Sequence, residues 1–231
     1  MTSLKAGGFV KYSAVLLLAG KSKRFNGDIN KVYTLINEKP LFQYSLEVFN
    51  KDDNCQSIII VYNENDKDLL FKNEILSEKI TYVTGGSERY KSVLKGIKNV
   101  NTEYVLVHDG ARPLISQSMI DDLLEELKYS ECVSTGLPIT DTIKKIGDNG
   151  NITTISRESL YSVQTPQGSK TEILKSALEN VKDTDNITDD LMAIEKYTNI
   201  TPKIVIGSKR NIKVTTIEDI ELIKMYLKLG G

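Results

Sequence analysis

The stretch Ala14–Lys31, AVLLLAGKSKRFNGDINK, carries the chain's strongest signal of fold class. An apolar run that asks for burial ends on a glycine, and Lys21, Lys23, Arg24 and Lys31 follow within eleven residues. A near-continuous apolar strand suits a parallel sheet covered on both faces. In open α/β sheets, ligands bind beyond the carboxyl ends of such strands. The segment after the run therefore reads either as a phosphate-gripping loop or as an ordinary solvated turn. Its small residues Ala19, Gly20 and Ser22 allow close backbone approach, and its cations supply countercharge for phosphate. It has neither the G-x-x-x-x-G-K of a Walker loop nor a G-x-G-x-x-G dinucleotide loop.

Working outward, similar β-branched runs recur. SAVLLLA (Ser13–Ala19), SIIIVY (Ser57–Tyr62), ITYVT (Ile80–Thr84), EYVLVH (Glu103–His108) and PKIVIG (Pro202–Gly207) read as buried strands. Between them, PLFQYSLEVFN, ERYKSVLKGIKNV and SQSMIDDLLEELKYS carry apolar residues at helical spacing. The third starts at Ser116, a candidate cap for Met119, Ile120, Leu123, Leu124 and Leu127. Alternating strands and helices predict an α/β sandwich with a mainly parallel sheet. Asp141–Val163 breaks the alternation: two short β-like runs flank GDNGN, a strong turn signal. Such a hairpin is too small to stand alone, so it leans on the main sheet or on another subunit.

The 231 residues and 25.8 kDa suit one domain, here 13–229, with residues 1–12 as a leader and an arm at about 141–163. A net charge of −1 argues against a broad nucleic-acid surface but permits a local basic pocket. No apolar run approaches the roughly 18 residues of a membrane span, and the N-terminal run lacks a signal-peptide cleavage pattern. Cys55 and Cys132 make neither a metal pattern nor a disulfide framework, which points to a reducing cytoplasm.

Polar clusters gather at the expected strand ends. VTGGSERYKSV offers Gly85 and Gly86 as a backbone-lined turn and Ser87 as a helix cap. Arg89 and Ser92, three apart, can face one ligand. In VLVHDGARPLI, Asp109 and Arg112 leave a buried strand where a carboxylate can hold Mg²⁺ and a guanidinium can hold phosphate. An ion pair between the two is the other reading. His108 is the only histidine and reads as a buried ring bonded to backbone, which leaves histidine triads and zinc sites without members. The remaining lysines, arginines, carboxylate and hydroxyls suit phosphoryl or nucleotidyl transfer, where an ionised phosphate nucleophile needs no strong base. QTPQGS (Gln164–Ser169), NITDD (Asn186–Asp190) and GSKRNIKVTTIEDI (Gly207–Ile220) each put polar groups near an expected element end. Thr188–Asp190 can cap DLMAIEKY, and TTIED resembles a capping box.

Taken together, these clusters resemble the 2-C-methyl-D-erythritol 4-phosphate cytidylyltransferases of bacterial isoprenoid synthesis. The resemblance runs from about Ala14 to Leu227, through the basic loop, GGSERYKSV, HDGARP, DTIKK, QTPQ, TDD and NIKVTT in order. It implies a Rossmann-like nucleotidyltransferase sandwich whose projecting β-arm builds a homodimer. It also implies Mg²⁺-assisted transfer of CMP from CTP to the sugar phosphate, with release of pyrophosphate. By that resemblance Arg24 and Lys31, with Lys213, would be catalytic, steadying the triphosphate and the charge that develops. Ala19, Gly20, Ser22, Gly86, Ser87, Arg89, Ser92, Asp109 and Gly110 would hold the nucleotide, with Asp109 facing the metal. Arg112, Thr142, Arg157, Thr165, Thr188 and Lys213 would receive the polyol phosphate, Arg157 reaching over from the partner's arm.

The departures lie in the basic loop. The family pattern is A-A-G-x-G-x-R-M and later P-K-Q, whereas this chain has Leu18-Ala19-Gly20-Lys21-Ser22-Lys23-Arg24-Phe25 and Asn30-Lys31-Val32. Ser22 in place of glycine restricts a positive-φ backbone. Asn30 in place of proline removes a rigid setting for Lys31. Activity with weaker CTP binding is the expectation. The related ribitol 5-phosphate cytidylyltransferases of teichoic-acid synthesis share most of these motifs, although HDGARP and NITDD look more like the isoprenoid enzyme. A third reading, a catalytically silent nucleotide-binding relative, is opposed by the retained Arg24, Lys31, Asp109 and Arg157.

Overall fold

The computed structural model describes residues 10–20 and 30–229. In chain order the strands are β1 Tyr12–Leu17, β2 Leu35–Ile36, β3 Lys39–Pro40, β4 Cys55–Tyr62, β5 Ile80–Thr84, β6 Tyr104–Asp109, β7 Cys132–Pro138, β8 Ile143–Ile146, β9 Ile152–Ile155, β10 Tyr161–Lys170 and β11 Lys203–Ile206. The helices are α1 Leu41–Lys51, α2 Lys67–Lys72, α3 Arg89–Ile97, α4 Gln117–Leu127, α5 Thr171–Glu179, α6 Asp190–Tyr197 and α7 Ile217–Leu229.

β1 is a central strand because it is apolar on both faces. Along it, side chains alternate between two helix layers. Ala14 and Leu16 join Phe42, Leu46 and Phe49 of α1 and Ile120, Leu123 and Leu127 of α4. Val15 and Leu17 join Val93 and Ile97 of α3, Leu174 and Leu178 of α5 and Ile194 of α6. β4 repeats the pattern with Ile58 and Ile60 on the first face and Ile59 and Val61 on the second. The seven-stranded sheet runs β11-β7-β10-β6-β1-β4-β5. All pairings are parallel except those of β10, which is antiparallel to both β6 and β7. The expected mainly parallel α/β sandwich is what forms, and no helix among the described residues is long and apolar enough to cross a membrane.

Helix starts largely follow the sequence signals. Ser116 Oγ accepts from Met119 N at the head of α4, and Asp189 Oδ1 accepts from Met192 N at the head of α6. Before α7, Asp219 Oδ2 accepts from Thr215 N at 2.7 Å and Thr216 N at 2.9 Å, the reach-back half of a capping box. Ser87 departs from expectation. The residue preceding α3 is Glu88, without a side-chain cap bond, and Ser87 lies one residue further out, on the cleft described below.

Three other expectations change. β11 is an edge strand rather than a buried one, with Ile204 and Ile206 exposed, and β5 closes the opposite edge half-buried. Strand order decides this, and the local sequence of a strand does not encode its order. Gln164–Ser169 is not an element end but the interior of β10. Its pairing with β7 breaks between Val163 and Gln167, around Pro166, which has no N–H to give to a ladder. Tyr12, expected in the leader, opens β1 fully buried and donates through its hydroxyl to Asp52.

The arm is a separate two-stranded sheet of β8 and β9 in antiparallel register, Ile143 opposite Ile155 and Ile146 opposite Ile152. Its GDNGN turn closes with Gly147 N donating to Asn151 O and Gly150 N donating to Gly147 O. Gly150 has φ +79°, a conformation that a side chain would strain. Ile146 and Ile152 are 70% and 65% exposed, so the hairpin presents apolar side chains that no described residue covers.

Candidate active site

A cleft of about 520 Å³ opens at the carboxyl ends of β1, β4, β5 and β6. Its floor is Leu17, Ala19 and Gly20 after β1, with Asp109 at the end of β6. One wall is Gly86, Ser87, Glu88, Arg89 and Ser92, where β5 turns into α3. The cleft is lined as well by Asn30, Lys31 and Val32, and by Lys213 and Thr215 from the segment before α7. Gly86 must be glycine here, because a Cβ would lie 2.6 Å from Lys91 Cβ. That contact lays the Gly86 backbone against the first turn of α3, and Ser92 Oγ fixes it by accepting from Gly86 N.

Charge in the cleft is organised around Asp109, only 8% exposed. Lys213 Nζ donates to its Oδ2 at 2.7 Å, and Arg89 Nη2 donates to its Oδ1 at 3.2 Å. Burial would raise the Asp109 carboxyl, but Arg89 and then Lys213 hold it well below the usual carboxylate range. Arg89 is itself fixed from behind by a bidentate pair with Asp190, at 2.8 and 2.9 Å. Against the burial that would lower it, Asp190 and Asp109 hold the guanidinium above its ordinary value. Burial pushes the Asp190 carboxyl up, against the pull of Arg89. An ion pair between Asp109 and Arg112, the other reading of these residues, does not form. Arg112 turns to the Asn211 carbonyl at 2.9 Å, and the cations on Asp109 come from 20 residues upstream and 104 downstream.

Beneath Asp109 lies a hydrogen-bonded chain whose directions follow from the donors available. Arg112 O can only accept, so His108 Nε2 donates to it at 2.9 Å. His108 Nδ1 is then an acceptor and takes the Thr165 hydroxyl proton at 3.1 Å, while Thr165 Oγ1 accepts from Asp109 N. This requires a neutral ring, and burial pushes the His108 pKa down from 6.5 to about 4. Between those values the unfolded chain takes up a proton that the folded chain refuses, so stability falls as pH drops. At 1.36 kcal/mol per unit the loss is about 3 kcal/mol, and it levels off below about pH 4. Urea unfolding at pH 7 and pH 4.5 should show this drop in the parent and not in His108→Gln. Equal losses in both proteins would remove His108 as the cause.

Of the residues singled out in the sequence, Ala19, Gly20, Lys31, Gly86, Ser87, Arg89, Ser92, Asp109 and Lys213 line the cleft. Ser22 and Arg24 lie outside the described residues. Gly110 sits behind the cleft, donating through its N–H to Leu17 O. Thr165 is buried beside Asp109, its hydroxyl accepting from Asp109 N and bonded to His108 Nδ1. Gln164 holds Ser208 through both amide atoms, and Gln167 Oε1 accepts from Asp190 N. Arg112, Thr142, Arg157 and Thr188 are not among the cleft-lining residues. Thr142 and Arg157 lie exposed beside the arm, where Arg157 donates to the Thr140 carbonyl, and Thr188 is exposed before α6.

Asn63, Glu88 and Thr215 also line the cleft and carried no assignment from the sequence. The place of Asn63 just beyond β4 was the available signal. The setting of Lys31 differs from expectation too. Asn30 is buried, and its Nδ2 donates to Leu18 O at 2.9 Å and Asp66 Oδ2 at 2.8 Å, while its Oδ1 accepts from Val32 N. With φ −62°, Asn30 occupies the backbone angle that a proline ring imposes, so side-chain bonds replace the ring.

For a divalent cation, the described residues offer no group of three or more His, Cys, Asp or Glu. Asp109, a hard anionic donor on the cleft floor whose two oxygens also accept from Lys213 and Arg89, is the described carboxylate that would hold a divalent cation there.

Comparison with known proteins gives a consistent answer. The profile of the family IspD, 2-C-methyl-D-erythritol 4-phosphate cytidylyltransferase, matches residues 12–229. The Bacillus cytotoxicus protein of that name is 36% identical over 221 residues, covering 94% of this chain and 97% of its own. The Lachnoclostridium phytofermentans protein of that name is 37% identical over 227 residues, with the same coverage. Among solved structures, 4-diphosphocytidyl-2C-methyl-D-erythritol synthase from Anaerococcus prevotii superposes with a TM-score of 0.85 at 27% identity, over 96% of this chain and 100% of that one. The 2-C-methyl-D-erythritol 4-phosphate cytidylyltransferase of Francisella tularensis gives 0.79 at 28%, over 93% and 99%.

Proposed function

Because the chain belongs to the IspD family of 2-C-methyl-D-erythritol 4-phosphate cytidylyltransferases, we propose that the Asp109 cleft is where it joins CMP to that sugar phosphate. The enzyme is a nucleotidyltransferase of isoprenoid synthesis, consuming CTP and releasing pyrophosphate. The observation that carries the assignment of the cleft is the convergence of Gly86, Arg89, Asp109, Lys31 and Lys213, distant in sequence, around one ionised carboxylate.

The chemistry follows from that arrangement. A phosphate oxygen of the sugar phosphate attacks the α-phosphorus of CTP, and the bond to the β-phosphate breaks with its electrons leaving on pyrophosphate. The nucleophile is already an anion, so no side chain has to remove a proton. This agrees with a cleft whose nearest histidine is neutral and buried. Lys31 and Lys213 neutralise the triphosphate and the charge that grows on its leaving portion, and Arg24 joins them. The glycine backbone and Ser87 receive the nucleotide. Asp109 would hold the Mg²⁺, which supplies charge neutralisation to the phosphate oxygens when bound. Arg89, locked to Asp190, keeps the Asp109 carboxylate aimed and ionised.

The reading extends to a homodimer. The apolar hairpin of β8 and β9 gains a partner if it lies against a second copy, which carries Arg157 into the other subunit's cleft to bind the polyol phosphate. Thr142 and Thr188 then complete that end of the site. Cys55 and Cys132 are free and buried, which supports a reducing, cytoplasmic setting.

The test is pyrophosphate release from CTP and Mg²⁺ with each polyol phosphate in turn. 2-C-methyl-D-erythritol 4-phosphate should be used at least about tenfold faster than ribitol 5-phosphate. Faster use of the ribitol compound would assign the chain to that chemistry instead. No release with either, alongside retained CTP binding, would make it a nucleotide-binding relative without turnover.

A further inference from the structure

We propose that Asn30 is a positioning residue that sets Lys31 against the triphosphate, an inference that rests on the assignment of Lys31 above. Lys31 opens a short 3₁₀ turn, Lys31–Tyr33, in which Val32 and Tyr33 are buried. Asn30 begins that turn, only 8% exposed, and among the described residues its amide makes three bonds. Nδ2 donates to the Leu18 carbonyl at 2.9 Å, which ties the residue before Lys31 to the chain leaving β1. The same nitrogen donates to Asp66 Oδ2 at 2.8 Å, which ties it to the segment after β4. Oδ1 accepts from Val32 N, and Tyr33 N donates to the Asn30 carbonyl at 2.9 Å.

Asn30 is thereby fixed to the end of β1 and to the turn after β4, and Val32 and Tyr33 are bonded back to Asn30, so the lysine backbone between them has little freedom to move. A flexible ammonium gains most from this. A displacement of about 1 Å between a charged group and developing charge can cost on the order of a hundredfold in rate. No single substitute keeps all three bonds. Alanine loses both donors and the acceptor, serine keeps only a short acceptor for Val32 N, and aspartate would oppose Asp66 with a like charge.

A double-mutant cycle on turnover separates this role from plain fold support. Asn30→Ala should lower kcat/KM for CTP about tenfold and leave the KM for the sugar phosphate within about twofold. Lys31→Ala should lower it at least as much, and Asn30→Ala/Lys31→Ala should be no worse than Lys31→Ala alone. Losses that multiply in the double variant would overturn the positioning role while leaving Lys31 in place. A Lys31→Ala enzyme with normal turnover would overturn the Lys31 assignment itself, and this inference with it. Thermal melting accompanies each variant. If Asn30→Ala does not fold, Asn30→Ser enters the same cycle with the same expected pattern.

Discussion

An Asp109→Asn enzyme should turn over at least about a hundredfold more slowly than the parent, and its residual activity should no longer follow the parent's Mg²⁺ titration. The first effect comes from two charge-assisted bonds that the substitution weakens together. Lys213 and Arg89 both donate to that carboxylate, at 2.7 and 3.2 Å. Each such bond contributes roughly 1.5–3 kcal/mol. At 1.36 kcal/mol per decade, loss of the smaller sum already exceeds a hundredfold when the cations are needed in register at the transition state. The second effect follows from removal of the hard anionic donor that suits Mg²⁺. Arg89 keeps its bidentate pair with Asp190, so the fold should survive, and circular dichroism and melting verify that. Near-parental turnover with an unchanged Mg²⁺ curve would remove Asp109 from the role given to it.

Arg157→Ala should raise the apparent KM for the sugar phosphate about thirtyfold or more while changing the KM for CTP by less than about threefold. Truncating one member of a hydrogen-bonded charge pair costs about 2–5 kcal/mol, which sets that scale. Arg157→Lys should not restore binding, because an ammonium cannot copy a guanidinium that grips phosphate with two parallel donors. Arg157 is not among the residues lining the cleft of its own chain, so in the proposed homodimer the effect arrives through a second copy. Mixing Arg157→Ala subunits with Lys31→Ala subunits tests that directly. A mixed dimer holds one site with both lesions and one with neither, so activity should rise above either parent preparation. A purely monomeric protein by light scattering, or heterodimers without recovered activity, would contradict the shared site.

Much of this was legible because several signals are local. The two-faced apolar run of β1, the Ser116 and Asp219 caps and the GDNGN turn each work within a few residues, where sequence and geometry are tightly coupled. β7 and β10 were not anticipated, because CVSTGLP and YSVQTPQGSK mix small, polar and proline residues. Their strand character comes from pairing with distant neighbours. The same distance hides the inner scaffold. QTPQ offers hydroxyl and amide groups, and their bonds from Gln164, Thr165 and Gln167 to Ser208, Asp109 and Asp190 join positions too distant to be read from the segment. Nothing in NITDD distinguishes Asp189, which caps α6, from Asp190, which grips Arg89 across 101 residues. Asn30 shows the opposite error. The loss of proline was visible, but the bonds that replace the ring reach Leu18 and Asp66 and could not be read from the segment alone.

The most direct measurement is a crystal structure of the protein with CTP and Mn²⁺ in place of Mg²⁺, located by its anomalous signal. The triphosphate should lie in the cleft among Gly86, Ser87, Lys31 and Lys213, with an anomalous peak bonded to an Asp109 carboxylate oxygen. CTP bound elsewhere, or a metal held without Asp109, would contradict the role given to this cleft.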